Sequence, residues 1–438
     1  PDDGDAALLR LQDDVVEAYA IPAGSAYIKE IGADITFTND AENNAITNAL
    51  ESALTYIKSL YEDPESPQPV KEATIVVSDG IYQGGLDISS QGGGGGSILT
   101  DLISQILGLN KEQQSDIQIN IVAEDAIAED GSFTADGEGG AQLEGDININ
   151  FEGIDVVLAG LYLSTRGMVN VEGADSVTYY GTTQDDVSDM TVRNVADSVK
   201  VDTGKGDDRV DVRVEKRPNL EFAIELEEGW QAAFEGISSV ASIEELPAGL
   251  KEVMTNLLSS IDNLVIDEAL DAAPLKVDID LGLGNDTLDF TLVDTTDLAL
   301  GTPNIEAGTG EGATPITLTY GFDIDIGAAD VNILGGDGND RIGIAGARAF
   351  SLGQEVVQFL TDHIASLSAD FQKTDFSLDG GLGDDVITVD TTAAFSTLGG
   401  ITTSVKGDEG FVRLHITGKL NDEGDAAERI TAPGDTDS

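Results

Sequence analysis

The sequence of 438 residues contains no cysteine, and this absence excludes several classes of site at once. Disulfide frameworks, thiolate zinc sites, iron–sulfur clusters and cysteine nucleophiles all need that side chain. Basic residues are also scarce, because 22 Lys and Arg face 82 Asp and Glu, for a net charge of −60. Recognition of nucleic acids and of anionic membrane surfaces begins with clustered Lys and Arg, so we expect neither partner.

Other scarce features of the sequence exclude further classes of protein and site. No run of 18 apolar residues is present, so we expect no membrane insertion. Aromatic residues make up 5% of the chain and Trp230 is the only tryptophan, which argues against a sugar-binding groove. Two histidines, His363 and His415, form neither a catalytic triad nor a zinc site, and we assign no catalytic residue. Hydrophobic residues reach 40%, so the high charge does not indicate disorder.

A repeat of 22 residues lies between residues 173 and 216. The tetrad Ala-Asp-Ser-Val at residues 174–177 recurs at 196–199, and the Asp-Asp pair at 185–186 recurs at 207–208. Each copy holds two short β-branched runs around a polar turn, a pattern typical of one coil of a solenoid.

Four other segments alternate apolar and polar residues, as a strand with one buried face requires. They begin at Ile147, Val277, Phe322 and Phe376. Stacked coils pair through parallel ladders ~4.8 Å apart, and each coil contributes one layer of the core. These segments therefore predict a parallel β-helix.

The N-terminal region supports the same fold. Apolar residues at helical spacing between Ala45 and Ile57 predict an amphipathic helix, and the run ATIVVSDGIYQGGLDI follows from Ala73 to Ile88. This order resembles the opening of right-handed parallel β-helix proteins of the pectin lyase-like superfamily, in which a helix plugs the open end of the solenoid. The predicted fold class is all-β dominated: a single-stranded parallel β-helix (solenoid) with an N-terminal capping helix and helical inserts.

Helical inserts are predicted from three apolar stripes, which we interpret as core-packing faces, with a subunit interface as the alternative. The stripes are Phe222, Leu226, Trp230, Phe234 and Ile237; Leu250, Val253, Leu257, Ile261 and Leu264; and Val356, Leu360, Ile364 and Leu367. The predicted domains are an N-terminal cap (1–72), β-helix coils (73–214), a helical hairpin insert (215–273), β-helix coils with glycine turns and smaller inserts (274–418) and an acidic C-terminal tail (419–438).

The strongest motif is Gly-x-Gly-x-Asp-x-apolar, which occurs four times, and the last two copies carry an extra leading glycine, Gly335 or Gly380. It resembles the G-G-x-G-x-D-x-U-x nonapeptide of RTX proteins, a secreted family named for repeats in toxins, which binds Ca²⁺. Calcium takes 6–8 oxygen ligands, and glycine allows φ > 0, so that consecutive carbonyls can point inward. The implied ligands are glycine carbonyls and Asp carboxylates: Gly204, Gly206, Asp208, Gly282, Gly284, Asp286, Gly336, Gly338, Asp340, Gly381, Gly383 and Asp385.

One departure from the RTX pattern needs an explanation. RTX motifs normally run in tandem and share each ion between successive turns, whereas these four Asp residues are separated by 78, 54 and 45 residues. We expect the intervening inserts to loop out, so that the four turns stack along one edge and the pair at residues 185–186 lies beside the pair at 207–208. The alternative is a set of metal-free glycine turns between strands.

Three functions remain open. The first is an extracellular, calcium-binding structural protein: a β-helix subunit or segment of a filament, surface layer or large adhesin, located at the cell surface or secreted. It would self-associate as a homo-oligomer or filament, or bind other surface or matrix components. The second is a polysaccharide-active enzyme, a lyase, hydrolase or epimerase, which the pectin lyase-like resemblance implies but which the lack of a Lys/Arg cluster disfavours. The third, compatible with the first, is an acidic coat that confers solubility in high salt.

Overall fold

Many of the short strands alternate apolar and polar residues and bury one face, whereas the strands at residues 72–77, 118–123 and 155–159 are buried on both faces. The structure is a computed structural model, which describes a subset of the chain. The described residues are 25–29, 36–38, 45–50, 52–53, 72–83, 85–88, 117–150, 153–163, 167–218, 220–227, 271–300, 317–325, 327–350, 362, 364, 371–390, 401–407 and 410–417.

The strands form three sheets. Sheet 1 has eleven strands in the order β2 (Thr36–Thr38), β1 (Ser25–Lys29), β3 (Glu72–Val77), β6 (Gln118–Ala123), β9 (Asp155–Ala159), β12 (Ser176–Thr182), β14 (Ser198–Gly204), β17 (Leu275–Asp280), β20 (Ala329–Leu334), β22 (Thr374–Asp379) and β24 (Ile401–Lys406). From β3 to β24 every neighbouring pair in this sheet is parallel.

Sheet 2 runs beside it along the coils, in the order β5 (Leu86–Ile88), β8 (Ile147–Asn150), β11 (Gly167–Glu172), β13 (Val187–Val195), β15 (Arg209–Lys216), β18 (Thr287–Leu300), β21 (Arg341–Phe350), β23 (Gly383–Asp390) and β25 (Gly410–Thr417). Two further strands, β16 (Leu220–Glu227) and β19 (Thr317–Ile324), lie off this path. Sheet 3 consists of β4 (Gly80–Gln83), β7 (Ala141–Glu144) and β10 (Leu161–Leu163), all parallel.

The chain visits the sheets in a fixed order, which defines the coils. The first three complete coils run through sheets 1, 3 and 2, whereas later coils pass from sheet 1 to sheet 2 through a tight turn. The 22-residue repeat is confirmed as one coil, because Ser176 pairs with Ser198 and Val187 pairs with Arg209. The fold is therefore an all-β parallel β-helix, as predicted.

A single core runs through the coils because like residues stack on like. Along sheet 1 the register aligns Val177, Val199, Val277, Val331 and Phe376, each at most 2% exposed. Each buried CH₂ group contributes ~0.8 kcal/mol, so these columns are a major source of stability.

A helical segment near the N-terminus packs into this core. Residues 45–50 and 52–53 are helical, and Ala45, Ile46, Ala49, Leu50 and Ala53 are fully buried in the core cluster. Beside them β1 pairs antiparallel with β3, which ends the parallel ladder. The described part of the predicted capping helix is therefore helical and packed in the core, and the rest of it lies outside the described residues.

The inserts differ in part from the prediction. Phe222 and Leu226, assigned to a helix, lie in strand β16, and the remainder of that helical hairpin lies outside the described residues. The segment from Phe322, expected to be a coil strand, lies in β19, which pairs antiparallel with β16 and β18 beside the solenoid. In the third insert Asp362 and Ile364 are helical, and Ile364 is buried.

A buried ion cluster joins the antiparallel strands to the coils. Lys216, at the end of β15, is 4% exposed. Its Nζ donates to Asp325 Oδ1 at 2.9 Å and to the carbonyl of Gly327, and it lies 3.8 Å from Asp294 Oδ1. Because Asp325 directly follows β19, the cluster fixes the end of that strand against the solenoid.

Candidate metal centre

The four glycine turns stack directly on one another. Their middle residues, Lys205, Leu283, Asp337 and Leu382, form successive parallel bridges. At each step the pattern repeats: Leu283 N–H donates to the carbonyl of Gly204 at 2.9 Å, and its own carbonyl accepts from Gly206 N–H at 2.9 Å. The four turns are therefore adjacent in the coil stack although 78, 54 and 45 residues separate their Asp residues, as expected from the sequence.

The two glycines of each turn are required by this stacking. The first glycines, Gly204, Gly282, Gly336 and Gly381, have φ between 76° and 92°, and the second, Gly206, Gly284, Gly338 and Gly383, have φ between 126° and 157°. A Cβ atom on Gly284 would overlap the carbonyl oxygen of Gly206, and the same overlap recurs at the following turns. Glycine is thus needed both for its backbone angle and for the close approach of the preceding turn.

The four Asp side chains form a second column, which we name the buried Asp column: Asp208, Asp286, Asp340 and Asp385. Each is at most 2% exposed. The Oδ1 atom of each carboxylate accepts a hydrogen bond from the backbone N–H of the corresponding Asp in the preceding coil. The distances are 2.8 Å from Asp186 to Asp208, 2.7 Å from Asp208 to Asp286, 2.9 Å from Asp286 to Asp340 and 3.0 Å from Asp340 to Asp385.

The second carboxylate oxygen has no such partner. Oδ2 of all four Asp side chains is buried and accepts no hydrogen bond within the described structure. Burial raises the pKa of Asp208 to about 8, of Asp340 to about 7 and of Asp286 to about 6, and it also raises the pKa of Asp385. Hydrogen bonds to the backbone offset part of this shift, and the neighbouring carboxylates add to it. The column therefore needs protons or cations to compensate its charge.

The column continues one coil towards the N-terminus. Asp186 is 3% exposed, and its N–H bond to Asp208 confirms the expected neighbourhood of the two Asp-Asp pairs. Its Oδ2 differs from the others because it accepts from Thr182 N–H at 2.8 Å and from the Thr182 hydroxyl at 3.2 Å. Burial still raises the pKa of Asp186, to about 6.

An exposed column runs beside the buried one, and the sequence prediction did not assign it a role. It consists of Asp185, Asp207, Asn285, Asn339 and Asp384. Oδ1 of each of the first four accepts the N–H of the next, at 2.8–3.1 Å. The signal was present as an Asp or Asn before each buried Asp, and these side chains stabilise the turns by hydrogen bonding.

The donor set fits a divalent cation in part. Among the described residues no group of three acidic or histidine side chains converges on one point, so carboxylates alone do not form a metal cage. The orphaned Oδ2 atoms supply buried negative charge, and backbone carbonyls would have to complete the shell. Gly204, Gly282 and Gly336 carbonyls each accept one N–H from the next turn, which leaves one lone pair on each.

The spacing along the column suits calcium. Neighbouring strands lie about 4.8 Å apart, and Ca²⁺–oxygen distances are about 2.3–2.6 Å. Carboxylates on neighbouring coils could therefore contribute to one cation site. The residues that would hold it are Asp208, Asp286, Asp340 and Asp385, and the ion would supply the positive charge that the column lacks.

An open groove of about 490 Å³ lies elsewhere, on the outer face of sheet 1. Its charged residues are Lys276, Asp278, Asp330 and Asp375. One lysine among three carboxylates gives it little affinity for an acidic sugar. His415 is exposed on β25, and His363 lies outside the described residues.

Comparisons with known protein families, proteins and structures find no match. No protein-family model, no curated protein and no solved structure matches this chain. Within the residues described above, no helix has the length and apolarity needed to cross a membrane.

Proposed function

We propose that this chain is an extracellular calcium-binding structural protein, a β-helix subunit or segment of a filament, surface layer or large adhesin. One observation carries the proposal: four buried carboxylates lie on successive coils, each with an oxygen that accepts no hydrogen bond. The resemblance of the turns to RTX nonapeptides and of the N-terminal region to pectin lyase-like β-helices supports it.

Calcium would act by binding linkage. The column exists only when distant segments have folded together, since its members are 78, 54 and 45 residues apart in sequence. An ion that binds the folded state alone stabilises it by RT ln(1 + [L]/Kd), about 2.7 kcal/mol per site at a hundredfold excess over Kd. Folding would then be favoured where calcium is abundant, as it is outside cells.

The coil stack also supports self-association or binding to other surface components. Within the described structure, β24 and β25 end their sheets without a further partner strand. Strand edges of this kind are templates for pairing with another chain. Negative-stain microscopy of the purified chain with calcium tests this part: filaments or regular oligomers are expected, and dispersed single particles would contradict it.

Thermal unfolding tests the calcium part. We expect the full chain to melt at a higher temperature in millimolar calcium than in chelator, with a smaller effect from magnesium, which dehydrates reluctantly. Asp286→Asn should reduce the calcium effect because it neutralises an interior carboxylate of the column. Asp207→Asn, which removes the same charge from the exposed column, should leave the effect unchanged. An identical melting temperature in calcium and chelator would refute the proposal.

A polysaccharide-active enzyme is the competing function, and the described residues favour it less. The acidic pairs are used in the turn columns, and the groove on sheet 1 has one basic side chain. Cleavage of an acidic polysaccharide by monodisperse protein would support that alternative instead. The acidic-coat hypothesis predicts stabilisation by monovalent salt to the same degree as by calcium.

A further inference from the structure

The two ends of the buried Asp column differ from its interior. At the N-terminal end, Asp186 Oδ2 already accepts two hydrogen bonds from Thr182. Thr182 occupies the position that the first motif glycine takes in the next coil, because it pairs with Gly204. The adjoining loop also covers this end, since Thr183 N–H donates to the carbonyl of Gly137 at 2.8 Å. Asp186 therefore lacks the orphaned Oδ2 that the four motif carboxylates share.

At the C-terminal end, a valine replaces the Asp. The parallel register pairs Val412 with Asp385 and Gly410 with Gly383. A Cβ atom built on Gly407 would overlap Val412 Cγ2, just as one built on Gly380 would overlap Asp385 Oδ2. Valine has the same branched shape as Asp, so Val412 places a methyl group where Asp385 places a carboxylate oxygen one coil earlier.

We propose that the buried Asp column is a closed array with three cation places, one in each interval between consecutive carboxylates from Asp208 to Asp385, and that Thr182 and Val412 are its terminators. The proposal rests on the proposed calcium function and adds its stoichiometry. Four Asp residues with an orphaned oxygen define three intervals. The interval between Asp186 and Asp208 holds no ion because a cation there would have to displace the Thr182 donors.

In this array the four motifs contribute to different numbers of cation places. Asp286 and Asp340 each border two intervals, whereas Asp208 and Asp385 each border one. Asn in any of these positions keeps the Oδ1 acceptor and replaces the orphaned oxygen by an amide. The number of ions lost should therefore depend on position in the column and not on the motif sequence.

The experiment counts calcium bound to the full chain by equilibrium dialysis in high salt, which screens weak binding to exposed carboxylates. We expect about three ions for the wild type, a loss of about two for Asp286→Asn and of about one for Asp385→Asn, since an interval needs both of its carboxylates. Asp186→Asn should lose none. Val412→Asp should add one ion, because it would restore a carboxylate next to Asp385. Circular dichroism checks that each variant retains its strand content.

Distinct results separate the two proposals. A wild type that binds no calcium overturns the calcium function and the array together. Calcium binding with a loss at Asp186→Asn, or with equal losses at Asp286 and Asp385, overturns the array alone. A folded Val412→Asp chain without an extra ion shows that Val412 is not the terminator. If that variant does not fold, the comparison of Asp286→Asn with Asp385→Asn still decides the matter.

Discussion

The stability of the calcium-free protein should fall as the pH rises from about 4 to about 8. The groups responsible are the buried carboxylates, whose pKa burial raises to about 8 at Asp208, about 7 at Asp340 and about 6 at Asp286 and Asp186. In the unfolded chain the pKa of an Asp is about 3.9. Between these values the folded state holds protons that the unfolded chain has released.

The sign follows from proton linkage. Where the folded state binds more protons, the free energy of unfolding decreases with pH by about 1.4 kcal/mol per pH unit for each extra proton. Neighbouring carboxylates of the column repel one another and titrate together, so we count about two extra protons across the window and not four. The expected slope is then about 2.8 kcal/mol per pH unit, large against a typical stability of about 5–15 kcal/mol.

Urea unfolding in chelator at several pH values between 5 and 8 measures this slope. Asp208→Asn should reduce it by about one proton, or about 1.4 kcal/mol per pH unit. Asp207→Asn is the matched control: it removes the same charge, but Asp207 is exposed and hydrogen bonds from Asn285 lower its pKa. Saturating calcium should remove most of the decline at the upper end of the range. A flat or rising profile in chelator, or equal slopes for the two variants, would refute the account.

Three further outcomes can be measured by denaturant unfolding. Gly284→Ala should cost several kcal/mol or prevent folding, because its Cβ would overlap a carbonyl of the preceding turn, whereas Gly131→Ala, with positive φ but open space around it, should cost about 1–2 kcal/mol. Lys216→Met should cost about 3–5 kcal/mol, since it leaves Asp325 buried beside a second carboxylate without a cation; a loss below 1 kcal/mol would contradict this. Asn120→Ala should cost about 1–3 kcal/mol, because fully buried Asn120 donates to Thr74 and to the carboxylate of Glu72.

The turns could be predicted from the sequence because their chemistry is local. A glycine with positive φ that also abuts a carbonyl tolerates no other residue, so Gly284 and Gly338 leave a readable pattern. The 22-residue repeat likewise set the register of two coils, since identical residues stack in a parallel ladder. The glycine pattern and the 22-residue repeat both arise from contacts between equivalent residues of adjacent coils.

The antiparallel insert could not be predicted in the same way. Phe222 and Leu226 are four residues apart, a spacing that fits a helical face, but with Ile224 between them it fits a strand face equally well. Alternation alone also does not tell a coil strand from an insert strand, so Phe322 resembled Phe376. The sequence motif does not indicate Val412, because valine stands there in place of the Asp that defines the motif.

The position of the inserts explains how the column survives such long interruptions. In the chain, each insert lies between a strand of sheet 2 and the next strand of sheet 1. The three cases are the segments between β15 and β17, between β18 and β20, and between β21 and β22. The turns lie on the other connection, from sheet 1 to sheet 2, whose length stays short in every later coil. Loop closure costs only about 0.6 kcal/mol for each doubling of length. Insertions in the connection from sheet 2 to sheet 1 therefore cost little free energy. One added residue in a turn between sheet 1 and sheet 2 would instead break the register on which the column depends.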